Sequence, residues 1–171
     1  MRLKIRSMVG LLPLCAATVF DSGTAQNHPR LFELIQLFRK RHPELAEKIA
    51  TAEDPSLGGY EGRRLAAICN KEKLQSILAY MLDEKEFFSP YGIRSLSKYH
   101  LVHPSSFRLS GQEYKVQYLP AESNTGMFGG NSNWRGPIWM PVNALIIRGL
   151  LQMYPFYGPD FKVECPTGSG N

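Results

Sequence analysis

Cysteine is scarce in this sequence, and its three copies lack the spacings of cysteine-based sites. Cys15, Cys69 and Cys165 are odd in number and far apart, without a Cys-x-x-Cys pair or a histidine at zinc-ligand spacing. The pattern predicts free thiols in a reducing compartment, not a disulfide framework. His100 and His103 have no neighbouring cysteine or carboxylate that would complete a metal set. We therefore expect them to be ordinary polar loop residues, and we expect no metal and no cofactor.

Common catalytic motifs are also absent. The sequence contains no Gly-x-Ser-x-Gly, no phosphate-binding loop ending in Gly-Lys-Ser/Thr and no His-Glu-x-x-His. A glycine pair at 129–130 lacks the third glycine and the preceding strand of a dinucleotide-binding loop. The remaining candidates are carboxylates, of which Glu122, Asp160 and Glu164 are the best placed. Each of them is expected to be solvated or structural rather than catalytic.

A sustained basic stripe is missing as well, although the chain is basic. Twenty Lys and Arg against fifteen Asp and Glu give a net charge of +5 over 171 residues. The basic residues are scattered, with short clusters only at 39–41 and 63–64. Solvated helix faces explain this distribution better than a nucleic-acid interface, so we expect no nucleic-acid partner.

The N-terminal segment, residues 1–17, resembles the start of a signal peptide but is interrupted. Basic residues precede the apolar run MVGLLPLCAATVF, in which Gly10 and Pro13 break a stretch already too short to span a bilayer. We expect a buried internal segment, a cytoplasmic protein and no membrane partner. A signal peptide and export are the alternative.

Several segments have clear periodicity. Apolar residues at helical spacing predict helices over residues 31–38, 74–81 and 142–153, the last with the cleanest stripe. Alternation around a Ser-Gly turn predicts a small β-hairpin over residues 107–119. Aromatic and turn residues without either period indicate a loop over residues 87–97.

Residues 126–143, GMFGGNSNWRGPIWMPVN, combine planar and amide side chains with four glycines. Trp134, Trp139 and Arg135 offer stacking surfaces and fixed donors, and three asparagines offer paired donors and acceptors. The stretch predicts a surface for a polar ligand with a flat face. A glycine-rich turn with two buried tryptophans is the alternative.

The strings TGMFGGNSNWRGPIWMPVNALIIRGL, FFSPYGIRSLSKYH and RSMVGLLPL resemble the catalytic domain of glycoside hydrolase family 63 and its mannosylglycerate-hydrolase-like relatives. The resemblance covers nearly the whole chain. It implies a mainly α fold, part of an (α/α)6 barrel with a small β-hairpin insertion. Residues 1–171 would then be a partial catalytic domain, incomplete at both ends.

That resemblance also implies a function. The family inverts the anomeric centre with a general acid and a general base, which are expected upstream and downstream of the part that matches here. The chain would be a fragment of a hydrolase of an α-glucoside, an α-mannoside or a glucosyl- or mannosyl-glycerate, inactive alone. Its partners would be an oligosaccharide or small glycoside and the missing parts of the barrel. The alternative is a non-catalytic carbohydrate-binding or interaction module.

By the same resemblance, six residues are expected to bind substrate: Tyr91, Arg94, Asn133, Trp134, Arg135 and Trp139. The tryptophans would stack on sugar faces, Arg135 and Asn133 would donate to hydroxyls, and the other two would border the same cup. Asn143 would cap or bridge the loop backbone, and Glu122 would hold Arg135 or the loop amides.

Overall fold

The computed structural model describes residues 4–46, 58–120 and 138–171, and Ala25 by its backbone alone. Within these ranges the α-helices are α1 (Thr24–Asn27), α2 (Pro29–Arg41), α3 (Pro43–Ala46), α4 (Lys71–Met81) and α5 (Met140–Tyr157). The strands are β1 (Ala17–Phe20), β2 (Arg64–Ala67), β3 (Phe88–Ser89), β4 (Gly92–Ile93), β5 (Ser105–Leu109) and β6 (Gln112–Val116). Short 3₁₀ helices cover Met8–Cys15, Tyr60–Gly62 and Lys98–Leu101.

The expected fold class, mainly α and part of an (α/α)6 barrel, is wrong for the described residues. They form a mixed α/β structure of five helices and three two-stranded antiparallel sheets, β1–β2, β3–β4 and β5–β6. Two of the helices are a single turn long, and no barrel of paired helices is present in the described part of the chain. The barrel was expected from the family resemblance and not from periodicity, and strands of two to four residues contain too few alternations to show a period of two.

The longer elements agree with their sequence patterns. Helices α2, α4 and α5 contain the three apolar stripes, and β5 pairs with β6 where the hairpin was predicted. The turn residues Ser110 and Gly111 have φ angles of 51° and 81°. Positive φ at both central residues is the conformation of a type I′ hairpin turn. The predicted loop over residues 87–97, by contrast, contains the short strands β3 and β4.

One compact unit comprises residues 1–12, 76–145 and 163–171. Its apolar cluster consists of Leu96, Val116 and Tyr118, with Ile5 packed against them. The C-terminal tail of this unit satisfies the end of α4, because Thr167 donates to the carbonyls of Ala79 and Leu82 at 2.9 and 3.0 Å. These carbonyls would otherwise lack partners at the helix terminus.

The second compact unit comprises residues 13–75 and 146–162. Strands β1 and β2 pair from Ala17 with Ala67 to Phe20 with Arg64. Helix α4 begins after Asn70, whose side chain accepts the backbone N–H of Lys73 at 2.9 Å, a standard N-cap bond. Gly149 on α5 lies so close to the carbonyl oxygen of Leu14 that a Cβ there would be 2.3 Å away. Close packing at this point therefore requires glycine.

The apolar N-terminal run lies in the 3₁₀ helix Met8–Cys15, and Met8, Leu11 and Leu14 are buried. Burial at every third residue matches the three-residue repeat of a 3₁₀ helix. In the described ranges, no helix has the length and apolar character needed to cross a bilayer.

Candidate functional site

The side chain of Asn143 joins two segments of backbone fifty residues apart in sequence. Its Oδ1 accepts the N–H of Ile93 at 2.7 Å, and its Nδ2 donates to the carbonyls of Ile93 and Trp139, both at 3.0 Å. The carboxamide is buried, and it uses its oxygen as an acceptor and both N–H groups as donors. Its two bonds to Ile93 replace those that a neighbouring strand would make. We call Asn143, Ile93 and Trp139 the Asn143 clasp.

Gly92 makes room for this clasp. Its φ is 125°, a conformation that side chains rarely adopt. A Cβ at this position would lie 3.0 Å from Asn143 Oδ1 and 3.1 Å from Ile138 Cγ2. Ile138 also forms an antiparallel bridge with Arg94, so the backbone before α5 lies against β4.

Two large aromatic side chains within or close in sequence to the clasp are exposed. Tyr91, which precedes β4 by one residue, is 83% exposed, and Trp139, whose carbonyl is part of the clasp, is 38% exposed. The exposure of Trp139 argues against the alternative of a tryptophan buried within a turn. Of the eight residues expected at the site, Trp139 and Asn143 belong to the clasp, and Tyr91 precedes the clasp residue Ile93 by two positions.

Arg94 was expected to border the sugar, and the structure shows its guanidinium bonded to the chain itself. Nε donates to the hydroxyl of Tyr118 at 3.2 Å, and Nη1 donates to the carbonyl of Glu84 at 3.1 Å and to those of Glu86 and Phe88. The residue is buried. Its observed role is to hold the turn before β3, and contact with a ligand stays a prediction.

A second polar cluster was missed in the sequence. The buried Glu86 forms an ion pair with Arg6, and it accepts a hydrogen bond from the hydroxyl of Ser97. The guanidinium of Arg6 also lies over the ring of Tyr99, 3.9 Å from its centre. We call Arg6, Glu86 and Ser97 the Glu86 cluster. No sequence signal marks it, because Arg6 lies 80 residues before Glu86 and the three residues belong to no motif.

His100 was expected to be an ordinary loop residue, and this expectation is wrong. It is 1% exposed, its Nε2 accepts the backbone N–H of Arg6 at 2.9 Å, and its Nδ1 lies 2.9 Å from the carbonyl of His103. These partners assign the proton of a neutral ring to Nδ1, which then donates to the carbonyl. The imidazole thus connects residue 6 to the 3₁₀ helix after β4.

The other four expected residues, Asn133, Trp134, Arg135 and Glu122, lie outside the described residues. Most of the glycine-rich stretch lies there too. Their part in a ligand site stays a prediction.

The described residues show no candidate metal site, and burial affects two of their three thiols. No group of three or more His, Cys, Asp or Glu able to hold a metal ion occurs in the described ranges. The three cysteines are free thiols. Burial raises the pKa of Cys15 and of Cys69, and the charge of Lys73 partly opposes the rise at Cys69. Because the thiolate is the nucleophile, burial lowers the reactivity of both thiols.

Comparison with known proteins identifies a matching protein family. Residues 64–164 match the model of the glycosyl hydrolase family 63 C-terminal domain, a segment that contains the whole Asn143 clasp. A protein of Saccharomyces cerevisiae described as uncharacterized protein YMR196W is 48% identical over 171 residues, which is 99% of this chain. No solved structure matches.

Two further relatives have names that state an activity. The probable mannosyl-oligosaccharide glucosidase of Schizosaccharomyces pombe is 37% identical over 48% of this chain, and the mannosyl-oligosaccharide glucosidase of Saccharomyces cerevisiae is 32% identical over 50% of it. The chain spans 15% of the length of YMR196W and 7% of each glucosidase. Since the family model matches more than half of the chain, this chain belongs to glycosyl hydrolase family 63.

Proposed function

We propose that this glycosidase-related chain supplies sugar-binding surface to an inverting glycoside hydrolase. The substrate class is an α-glucoside, an α-mannoside or a glucosyl- or mannosyl-glycerate. The observation that carries the proposal is the exposure of two rings, Tyr91 and Trp139, inside the segment that matches the family, with the Trp139 backbone bonded to Asn143. Aromatic faces pack against the apolar C–H faces of sugars, while nearby amides bind hydroxyls.

The proposal places both catalytic carboxylates outside this chain. Inverting hydrolysis needs one carboxylic acid to protonate the leaving group and one carboxylate to activate water. Among the described residues, Glu86 is the buried carboxylate, and both of its oxygens are already bonded to Arg6 and Ser97. A carboxylate held in this way is suited to fixing the loop and not to transferring protons.

The same observation favours a second candidate function, a non-catalytic carbohydrate-binding or interaction module. Such a module needs the exposed rings and no catalytic pair. Both functions involve binding of a sugar. They differ in whether catalytic residues from the rest of a glycosidase domain complete the site.

Binding is tested by titrating the chain with methyl α-glucoside and methyl α-mannoside while tryptophan fluorescence is recorded. We expect saturable quenching that Trp139→Ala abolishes and Tyr91→Ala weakens. The exposed Tyr80, on α4, provides the matched control, since Tyr80→Ala removes an equally large ring elsewhere. Equal quenching in all four proteins would contradict the proposal.

Catalysis is tested separately by following the anomeric protons of an α-glucoside during incubation with the chain. We expect no hydrolysis by the chain alone. Release of inverted sugar by the purified chain would show that the carboxylates are present after all, and would overturn both the fragment and the module.

We further propose a cytoplasmic location, with export as the alternative. Burial of Met8, Leu11 and Leu14 supports an N-terminal segment that is kept as part of the fold. Expression with a C-terminal epitope tag, followed by fractionation and N-terminal sequencing, tests this. A product cleaved near residue 17 and found outside the cytoplasm would contradict it.

A further inference from the structure

We propose that Asn143 is a positioning residue for carbohydrate, because its carboxamide ties the backbone of Trp139 to that of Ile93, two residues after Tyr91. This inference rests on the proposed sugar-binding function. It assigns to Asn143 a part in affinity that comes through the two rings and not through contact with the ligand.

The Asn143 clasp connects the backbone next to both exposed rings. Asn143 bonds the carbonyl of Trp139 itself and both polar backbone groups of Ile93, two residues after Tyr91. The backbone of Trp139 and that of the strand after Tyr91 are thereby tied to one side chain. A flat ligand that contacts both rings needs them at a fixed separation, and any freedom between them would be lost on binding at a cost in affinity.

The Asn143 clasp requires an amide side chain at position 143. The site demands one acceptor and two donors from a single side chain, and only Asn and Gln combine them. Aspartate keeps the acceptor for Ile93 N–H but has no donor for the two carbonyls. A Cβ added at Gly92 would lie only 3.0 Å from Asn143 Oδ1, so the amide oxygen packs closely against the backbone of β4.

The Asn143 side chain is enclosed by the protein. Asn143 is 5% exposed, and its side-chain bonds are all to backbone groups. A ligand that contacts the rings therefore has little direct access to the amide. Loss of affinity on changing Asn143 then reports the placement of the rings.

The experiment compares Asn143→Asp with Asn70→Ala in the fluorescence titration with methyl α-glucoside and methyl α-mannoside. Asn70 caps α4 and belongs to the other compact unit, so Asn70→Ala lowers stability without touching the clasp. We expect Asn143→Asp to weaken sugar binding by about tenfold or more, as when a buried hydrogen-bonding group loses its partner. Asn70→Ala should bind sugar as the wild type does.

A double-mutant cycle separates positioning from general damage. If Asn143 acts through Tyr91, then Asn143→Asp should have little further effect on affinity in a Tyr91→Ala background. Full additivity of the two effects would overturn the inference, and so would a dissociation constant of Asn143→Asp within twofold of the wild-type value.

If Asn143→Asp does not fold, Gly92→Ala replaces it, because it leaves the amide intact and displaces β4 from it. Weakened binding with a folded circular dichroism spectrum then supports the inference, and unchanged binding overturns it. Absence of sugar binding by the wild type would instead reject the proposed function, so the two failures are distinguishable.

Discussion

The segment around Glu86 and Arg94 and the helix α2 are organised in opposite ways. In the segment, charged and polar side chains are buried: Arg94, Glu86 and His100 are each less than 10% exposed and are bonded to named partners. Helix α2 has no buried residue, and four of its large apolar side chains are 41–49% exposed. A burial pattern based on residue type would assign the reverse.

The difference teaches that periodicity reports secondary structure and not burial. The stripe of α2 is sufficient to predict a helix, yet its leucines remain accessible in this chain. Buried polar groups, in contrast, accept only geometries that satisfy their hydrogen bonds, so they define a single conformation for the segment that carries Tyr91. The following predictions test whether stability follows this division, in order of decreasing effect.

Arg94→Ala should have the largest effect. It removes the donor for three carbonyls and for the hydroxyl of Tyr118, and we expect it to lower the free energy of unfolding by about 3 kcal/mol. Urea denaturation followed by circular dichroism measures the loss. Arg94→Lys is the matched control, because it keeps the charge but not the planar array of donors. Its free energy of unfolding should lie between those of the wild type and Arg94→Ala. A loss below 1 kcal/mol for Arg94→Ala would remove the basis of the comparison.

Glu86→Gln should have the next largest effect. It keeps the shape of the side chain but removes the negative charge that binds Arg6, and it places an amide donor against existing donors. We expect a loss of about 2 kcal/mol in the same denaturation experiment. Glu84→Gln provides the control. A loss no larger in Glu86→Gln than in Glu84→Gln would show that the cluster contributes no stability.

Cys69 should give a smaller, pH-dependent effect in the unit that contains α2. Burial raises the pKa of its thiol in the folded state, so its contribution to stability is complete below the pKa of the unfolded thiol and is lost as the pH rises through the folded pKa. The wild type should therefore lose more stability than Cys69→Ala as the pH rises above the ordinary thiol value of 9.0. Denaturation midpoints of both proteins from pH 7 upward measure this. Parallel curves would show that the thiol ionises equally well in both states.

Leu34→Glu on α2 should have the smallest effect. Leu34 is 49% exposed, and substitutions at such positions change the free energy of unfolding by about 0.5 kcal/mol or less. Thermal denaturation in parallel with Leu74→Ala, a deletion on the buried side of α4, provides the contrast. If Leu34→Glu unfolded the chain as readily as Leu74→Ala, the α2 surface would be covered in solution and the comparison would fail.

Prediction from sequence succeeded where one element carries its own signal. The apolar stripes of α2, α4 and α5 and the Ser110-Gly111 hairpin are local patterns, and the structure contains all of them. It failed for β1 and β2, because each strand has four residues and finds its partner more than forty residues away. Such pairing depends on the whole chain and leaves no local period.

The candidate site was predictable in composition but not in arrangement. The aromatic residues Tyr91 and Trp139 are recognisable in the sequence because glycines or amide residues lie close to them. The bond between Asn143 and Ile93 is a contact across fifty residues. The burial of Arg94 depends on carbonyl groups, such as that of Glu84, to which its guanidinium donates. Residue type alone does not distinguish a guanidinium that faces a ligand from one that holds a loop.

The Asn143 clasp has a consequence for assembly. A strand as short as β4 has one side paired with β3, and its other side would present backbone groups ready to pair with a second molecule. Because the N–H and the carbonyl of Ile93 are already bonded to a side chain, that side of the sheet is closed to intermolecular strand addition. One buried asparagine therefore also occupies a strand edge that would otherwise be open to pairing.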